Sequence, residues 1–265
     1  MRPPGRRNYH AVMVDERTAT VRVAPPLRFL LPVRHRHGEV AVDVDGATSL
    51  THLIEALGVP RTEVGSVVVN GRPATLKVRP RPGDVIDVPP IPRPQAVPAA
   101  RFVLDVHLGT LARWMRLLGI DTAYRNDASD PELVEQGNAE GRVVLTKDRG
   151  LLRRRELGAG AYVLGSSPDD QLADVLDRFD PPLAPWTRCL ACNGGLSPVD
   201  KSSVEHLLEP GTRASYDDFS RCRECGQLYW HGAHADRLGA LVELATRSAG
   251  APRDPEGAGD RARIE

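Results

Sequence analysis

The sequence predicts a multidomain protein, a small α+β unit followed by a parallel α/β domain and then by a cysteine-bearing metal ribbon. Three observations predict it. Residues 18–88 read strand, strand, helix, strand, strand, the order of a small sheet packed on one helix. From Arg101 strands alternate with helices four times in succession, which argues for a parallel, doubly wound sheet. After Pro181 the chain is rich in Pro and Gly and carries its four cysteines as two C-x-x-C pairs.

The opening run TVRVAPPLRFLL is strand-like, and EVAVDVDG places Val40, Val42 and Val44 on one face of a second strand. In SLTHLIEALG, Ser49 can cap a short helix whose Leu50, Leu53, Ile54 and Leu57 share a face and which Gly58 stops. SVVVNGRPA is a strand with an Asn-Gly turn, and GDVIDV is the last strand of the unit. PPIPRPQAVP carries five prolines in ten positions and reads as extended linker.

In the second domain RFVLD is a strand, and LGTLARWMRLLG is a helix with Leu108, Leu111, Met115 and Leu118 at helical spacing. DTAYR is a strand. SDPELVEQGNAEG is a helix with Asp130 as N-cap, Pro131 in the first position and Gly141 past the end. RVVLT is a strand, RGLLRRREL a short helix and AYVLG a strand. SPDDQLADVLDRF is a helix capped by Ser167, with Pro168 just inside. The expected divisions are an arm at 1–17, the first unit at 18–91, a linker at 92–100, the α/β domain at 101–182, the ribbon at 183–245 and a disordered tail at 246–265.

Charge and composition narrow the function. The chain has 35 basic and 35 acidic side chains, so it is not a nonspecific nucleic-acid coat, and any nucleic-acid role rests on a local patch. No apolar run approaches the ~18 residues of a membrane span, and no partner membrane is expected. The N-terminus MRPPGRRNYHAV lacks the apolar region of a secretory signal. Together with the paired cysteines this favours a reducing compartment, the cytoplasm, and a metal over disulfides.

In an open α/β sheet ligands bind beyond the carboxyl ends of the strands. Sorted by that rule, Asp105 follows FVL, Asp127 and Asp130 follow TAY, Asp148 follows VVLT, and Asp169 and Asp170 follow YVLG. The opposite edge offers mainly Arg101, Asp121 and Arg142. Two like charges about 4 Å apart repel by roughly 4 kcal/mol at an effective dielectric of 20, so gathered carboxylates take up protons or bind a cation. Their oxygens suit Mg²⁺ or Mn²⁺, which hold phosphate oxygens and activate water. Arg113, Arg116, Lys147, Arg149, Arg153, Arg154 and Arg155 could then hold a phosphate backbone. The plainer reading competes at each position. Asp130 and Asp169 are good helix-start residues, worth about 1 kcal/mol each without any catalysis. His107 reads as a polar surface group, and three arginines in a row most often make a solvated face.

CLAC at 189–192 and CREC at 222–225 stand 29 residues apart. Cys189, Cys192, Cys222 and Cys225 match a tetrahedral zinc site of four thiolates, closed to water and therefore structural. His231 and His234 are spare candidates. Tyr229 and Trp230 either pack the ribbon onto the α/β domain or stack on a base.

The segments FVLDVHLGTLARWMRLLGIDT, SDPEL, GRVVLTKDRGLL, DDQLADVL, RCLACNGGL and CRECGQLYWHGAH together resemble the Mut-7 C-terminal RNase domain family over about Arg101 to Leu241. The resemblance implies a PIN-like nuclease fold with a zinc ribbon, and RNA cleavage through Mg²⁺ or Mn²⁺ held by Asp105, Asp130 and Asp148, with Asp169 or Asp170 as the fourth acid. On this reading an activated water attacking phosphorus in line would leave a 5′-phosphate and a 3′-hydroxyl, with Thr146 orienting Asp148 or touching phosphate. Residues 18–91 resemble the ubiquitin-like, β-grasp domain found ahead of such nucleases. That domain is similar to sulfur carriers, which end in a free Gly-Gly; here DVPPIP runs on into the linker. Two other functions fit the same residues: a noncatalytic RNA- or ribosome-binding module, and an adaptor whose β-grasp domain recruits a protein partner.

Overall fold

The computed structural model describes residues 17–230 and Val242. The expected arm, the spare ligands His231 and His234, and the tail lie outside the described residues, except for Arg17. The chain divides into two compact units at Pro92/Arg93.

The first unit is a five-stranded sheet in the order β2-β1-β5-β3-β4, with β1 (Thr18–Val23), β2 (Glu39–Asp43), β3 (Val68–Val69), β4 (Arg72–Pro73) and β5 (Val85–Val88). β1 runs antiparallel to β2 and parallel to β5. Helix α1 (Leu50–Ala56) is capped by Ser49, whose hydroxyl accepts from the His52 amide. Its Leu50, Leu53 and Ile54 are buried, as are Ala19, Val21 and Val23 of β1 and Ile86 and Val88 of β5. This is the mixed sheet of a β-grasp unit.

Two local expectations change. The strand-like TVRVAPPLRFLL is a strand only to Val23; Pro25–Leu30 forms a 3-10 helix. Two successive prolines lack amide donors and fix φ, which suits a helical turn and not a ladder, and Leu27 and Leu30 enter the core. The Asn-Gly turn forms a hairpin, with Asn70 at φ 51° and Gly71 at φ 76°, and so adds the short strand β4.

The second unit contains a parallel sheet in the order β7-β6-β8-β9, built from β6 (Arg101–Leu104), β7 (Asp121–Tyr124), β8 (Val143–Thr146) and β9 (Gly160–Tyr162). Alternation along the strands feeds two cores. Phe102, Leu104, Val143 and Leu145 face α2 (Gly109–Leu117) and α5 (Pro168–Phe179). Val103 and Val144 face the other way, toward Leu133 and Val134 of α3 (Asp130–Glu140) and Leu151 and Leu152 of α4 (Arg149–Leu152). Each such buried side chain contributes about 1.5–3 kcal/mol of transfer free energy, and the three layers follow from it.

The Pro-rich stretch is not free along its whole length. Arg93 pairs with Asp174 and Asp177 of α5, both at 2.8 Å, and the Gln95 side chain accepts from Arg178 Nε at 2.8 Å.

Asp130 is not the N-cap of α3. Ser129 is, and the Glu132 carboxylate accepts from the Ser129 amide and hydroxyl at 2.8 and 2.6 Å. Asp130 takes the first helical position. The S-x-x-E spacing of a capping box carried that signal.

The ribbon is an antiparallel sheet of β10 (Leu196–Val199), β11 (Phe219–Cys222) and β12 (Leu228–Trp230). Between β10 and β11 lie α6 (Lys201–Val204) and α7 (Pro210–Ser215), over a small core of Val204, Leu208 and Phe219.

Candidate catalytic acids and metal centre

β6 and β8 are neighbours, and the chain leaves β6 for β7 on one side before returning to β8 and β9 on the other. That is the topological switch point, where open α/β sheets bind ligands. Asp105 stands at the end of β6 and is 7% exposed. Its amide donates to Leu145 O at 3.0 Å. Asp148 follows β8 and caps α4, accepting from the Gly150 amide at 2.6 Å.

Thr146, fully buried, joins the two. Its hydroxyl donates to Asp105 Oδ2 at 2.6 Å and accepts from the Asp148 amide at 2.8 Å. Of the expectation that this residue orients Asp148 or touches phosphate, the structure shows the bond from the Asp148 amide; the hydroxyl's proton, which the sequence left unassigned, goes to Asp105.

The other acids stand differently. Asp130, at the start of α3, has Oδ2 3.3 Å from the Arg154 guanidinium, with both side chains about two-fifths exposed (40% and 39%). Asp170 is the third residue of α5, where its Oδ2 accepts from the Ser167 hydroxyl at 2.7 Å and amide at 3.3 Å. Those bonds hold its carboxyl below the usual range and give it a capping role. Asp169 is exposed in the first turn of the same helix, and Asp127 lies 3.9 Å from Arg125.

The cations separate into two kinds. Arg113 and Lys147 are exposed, with Lys147 Nζ donating to Gly165 O at 2.5 Å. Arg153 is exposed and donates to Arg149 O at 3.2 Å, while Arg149 is half-buried at the start of α4. Arg116 is 3% exposed and is not available to a polymer. Its guanidinium donates to Thr122 O at 2.9 Å and to the knuckle carbonyls of Leu190 and Ala191 at 3.0 and 2.8 Å. Periodicity placed it on α2 beside Arg113. Only the docking of the ribbon decides that its own face is covered. Burial pulls its pKa down against the raising influence of Cys189 and Cys192. His107 is exposed, as its surface reading required.

Among the described residues, one group of three or more His, Cys, Asp or Glu side chains is placed to share a metal ion, and it is Cys189, Cys192, Cys222 and Cys225, with all sulfurs within 4.8 Å. Cys189 and Cys225 Sγ are 3.6 Å apart, Cys192 and Cys222 Sγ 3.4 Å. A disulfide needs about 2.0 Å. A tetrahedron with Zn–S bonds of about 2.3 Å has edges of about 3.8 Å, so the set fits zinc. The Cys192 and Cys225 amides each approach the preceding knuckle sulfur at 3.5 Å, and Tyr229 Oη lies 3.1 Å from Cys189 Sγ. Burial pushes the Cys189 thiol up, but the Tyr229 hydroxyl and the Cys192 and Ala191 amides bring it down to about 7. Burial and the neighbouring thiols push Cys192 up to about 12. Four thiolates therefore need a cation to coexist. The Tyr229 hydroxyl is engaged at the knuckle. Trp230 is 40% exposed beside Phe219, with ring centroids 6.3 Å apart.

Sequence reasoning missed how the first knuckle is tied to the sheet. Asn193, in the left-handed region at φ 71°, accepts from the Thr122 amide at 2.9 Å and donates to Asp121 at 2.8 Å. Asp121 also meets Arg142 at 2.5 Å and Arg101 and Arg188 at 3.3 Å each. A groove of about 1110 Å³ runs beside the ribbon past Trp186, Tyr216, Phe219 and Tyr229; none of the candidate acids lines it. No helix among the described residues is long and apolar enough to cross a membrane.

A family model described as the Mut7-C RNAse domain matches residues 100–242, and one described as Mut7-C ubiquitin matches residues 16–96. No curated protein and no solved structure matches the chain.

Proposed function

The chain belongs to the Mut7-C RNAse domain family, and on that premise we propose that it is a cytoplasmic, metal-dependent ribonuclease with its reaction centre at Asp105 and Asp148. The observation that carries the reading is the pair of acids at the ends of adjacent strands at the switch point, linked by one hydroxyl, that of Thr146, which donates to the Asp105 carboxylate and accepts from the Asp148 amide. Hard oxygen donors there fit Mg²⁺ or Mn²⁺. Asp105 and Asp148 would hold the ion, with Asp130 as the third acid once Arg154 is drawn off by phosphate. Bound there, such an ion supplies Lewis-acid activation of water and of the scissile phosphate.

The chain's own residues do the rest. Thr146 fixes Asp105 as an acceptor. Asp148, an exposed residue, keeps Oδ1 on the Gly150 amide. Lys147, Arg149, Arg153, Arg154 and Arg113 position the RNA backbone and offset charge developing on phosphate. The test is RNA cleavage with added Mn²⁺, comparing wild type with Asp105→Asn and Asp148→Asn. Equal rates in all three remove the assignment.

One observation favours a second reading, a noncatalytic RNA- or ribosome-binding module. Among the described residues the thiols, and not the acids, form the cluster placed to share a metal. Calorimetric titration with Mn²⁺ separates the two readings, because the module predicts no binding that depends on Asp105. An adaptor role, in which the β-grasp unit recruits a protein partner, is compatible with either and is read by capture on residues 1–95.

A further inference from the structure

We infer that the β-grasp unit carries its own binding surface for single-stranded RNA, formed by Arg72 of β4 and by Lys77, Arg79 and Arg81 of the β4–β5 connection. The inference deepens the RNA reading above and rests on it for the identity of the polymer.

Residues 70–83, NGRPATLKVRPRPG, contain four cations and no acid. A solvated face normally mixes both signs; in this unit the other acid-free run of cations is residues 24–38, where Arg28 is part-buried and donates to Val23 O and Arg34 donates to the neighbouring His35 ring. All four side chains of residues 70–83 are exposed, and none has a carboxylate partner among the described residues. The nearest acid in sequence, Asp84, is already engaged, accepting from Asn70 Nδ2 and from the Arg81 amide, both at 2.7 Å.

The backbone that presents them is held in place. The Leu50 and Thr51 amides of α1 donate to Val78 O at 2.8 Å and Leu76 O at 3.0 Å, and the Gly83 amide donates to Thr18 O at 2.8 Å. Pro80 is buried. In V-R-P-R-P each arginine precedes a proline, which steers it to extended backbone. Two residues of such chain advance about 6 Å, comparable to the step between phosphates of an extended strand. Guanidinium forks match phosphate oxygens in pairs, and a prearranged loop loses little entropy on binding. A second RNA contact on the same chain raises the effective concentration of substrate for the nuclease unit.

The experiment uses the full chain carrying Asp148→Asn, so that binding is read without cutting. Fluorescence anisotropy follows a labelled single-stranded RNA of mixed sequence over a salt series. Each phosphate contact to a single strand contributes about −0.7 to the slope of log K against log salt. The triple change Lys77→Gln, Arg79→Gln, Arg81→Gln is expected to flatten the slope by about 2 and to weaken binding at least tenfold at low salt. Arg34→Gln with Arg36→Gln, in the connection from β1 to β2, is expected to change the slope by less than half of that. An unchanged slope in the triple variant, or an equal change per charge in both variants, overturns the inference, as does absence of RNA binding. Loss of binding to anionic vesicles with RNA affinity intact overturns it in favour of a membrane surface. Cleavage by the wild-type chain is assayed separately, and its absence removes the nuclease reading while the slope comparison still decides this one.

Discussion

Thr146 donates its hydroxyl proton to Asp105 Oδ2 at 2.6 Å while its oxygen accepts from the Asp148 amide at 2.8 Å. A hydroxyl has one proton and two lone pairs. With the proton committed to Asp105, the oxygen is free to fix the turn that carries Asp148. One buried atom therefore sets both the carboxylate after β6 and the backbone after β8.

Replacing Thr146 by Val should separate these roles from packing, since the volumes match and only the hydroxyl is lost. Asp105, 7% exposed, then loses its donor, at a cost of about 1.5–3 kcal/mol for a charged acceptor. Mn²⁺-supported RNA cleavage should fall by about 10- to 100-fold, while Thr146→Ser keeps most of it. Urea denaturation of the three proteins supplies the stability scale. A Val variant as active as wild type would show that the hydroxyl positions nothing.

Much of this was readable in advance, and the reasons differ by element. The four βα units and both cores follow from strand alternation and helical spacing, which depend on neighbours in sequence. The switch-point acids follow from strand ends. The four thiols follow from knuckle spacing alone. What escaped depends on tertiary docking: no local pattern distinguishes Arg113, exposed, from Arg116, covered by the Leu190 and Ala191 carbonyls. The capping error at Asp130 is of another kind, because Ser129 and Glu132 were both in the sequence and two residue types compete for one cap.

Arg113 and Arg116, one turn apart on α2, should therefore respond in opposite ways. Arg113→Gln should lower RNA affinity and flatten its salt dependence by about 0.7, leaving stability within about 0.5 kcal/mol. Arg116→Met should leave three carbonyls without their donor and cost about 2–4 kcal/mol. Paired measurements of denaturant midpoint and RNA anisotropy decide the matter. If Arg116→Met acted mainly on RNA binding, its burial would be irrelevant to function.

Zinc removal should act on the ribbon first. The second unit's parallel sheet has its own cores, whereas β10–β12 rest on a core of three buried residues. Chelation, or Cys222→Ser, should release one zinc per chain and expose the ribbon amides to hydrogen exchange while those of β6 and β8 stay protected. A metal-sensitive dye counts the zinc. Uniform loss of protection across both parts would mean that the ribbon and sheet unfold as one.

Asp121 should give the fold a distinct acid sensitivity. It meets Arg142, Arg101 and Arg188 and accepts from Asn193, so it ties β7 to the neighbouring strands' cations and to the first knuckle. Burial raises its pKa, but the bonds from Arg142 and Asn193 outweigh this and leave it below the ordinary carboxylate value of 3.8. A carboxyl whose folded pKa is depressed contributes stability that is fully present above its unfolded pKa and is lost as pH falls through the folded one. The contribution should be intact at pH 5 to 8 and begin to fall away below about pH 4, diminishing further as the pH drops toward the folded pKa. Asp121→Asn should cost about 2 kcal/mol at pH 7, and the gap to wild type should close as the pH is lowered through that window. Because the carboxylate is largely covered, 18% exposed, raising the salt at pH 7 should narrow the gap only slightly. Denaturation curves at pH 7, 5 and 3 measure it; a gap of constant size across all three would assign the effect to packing and not to charge.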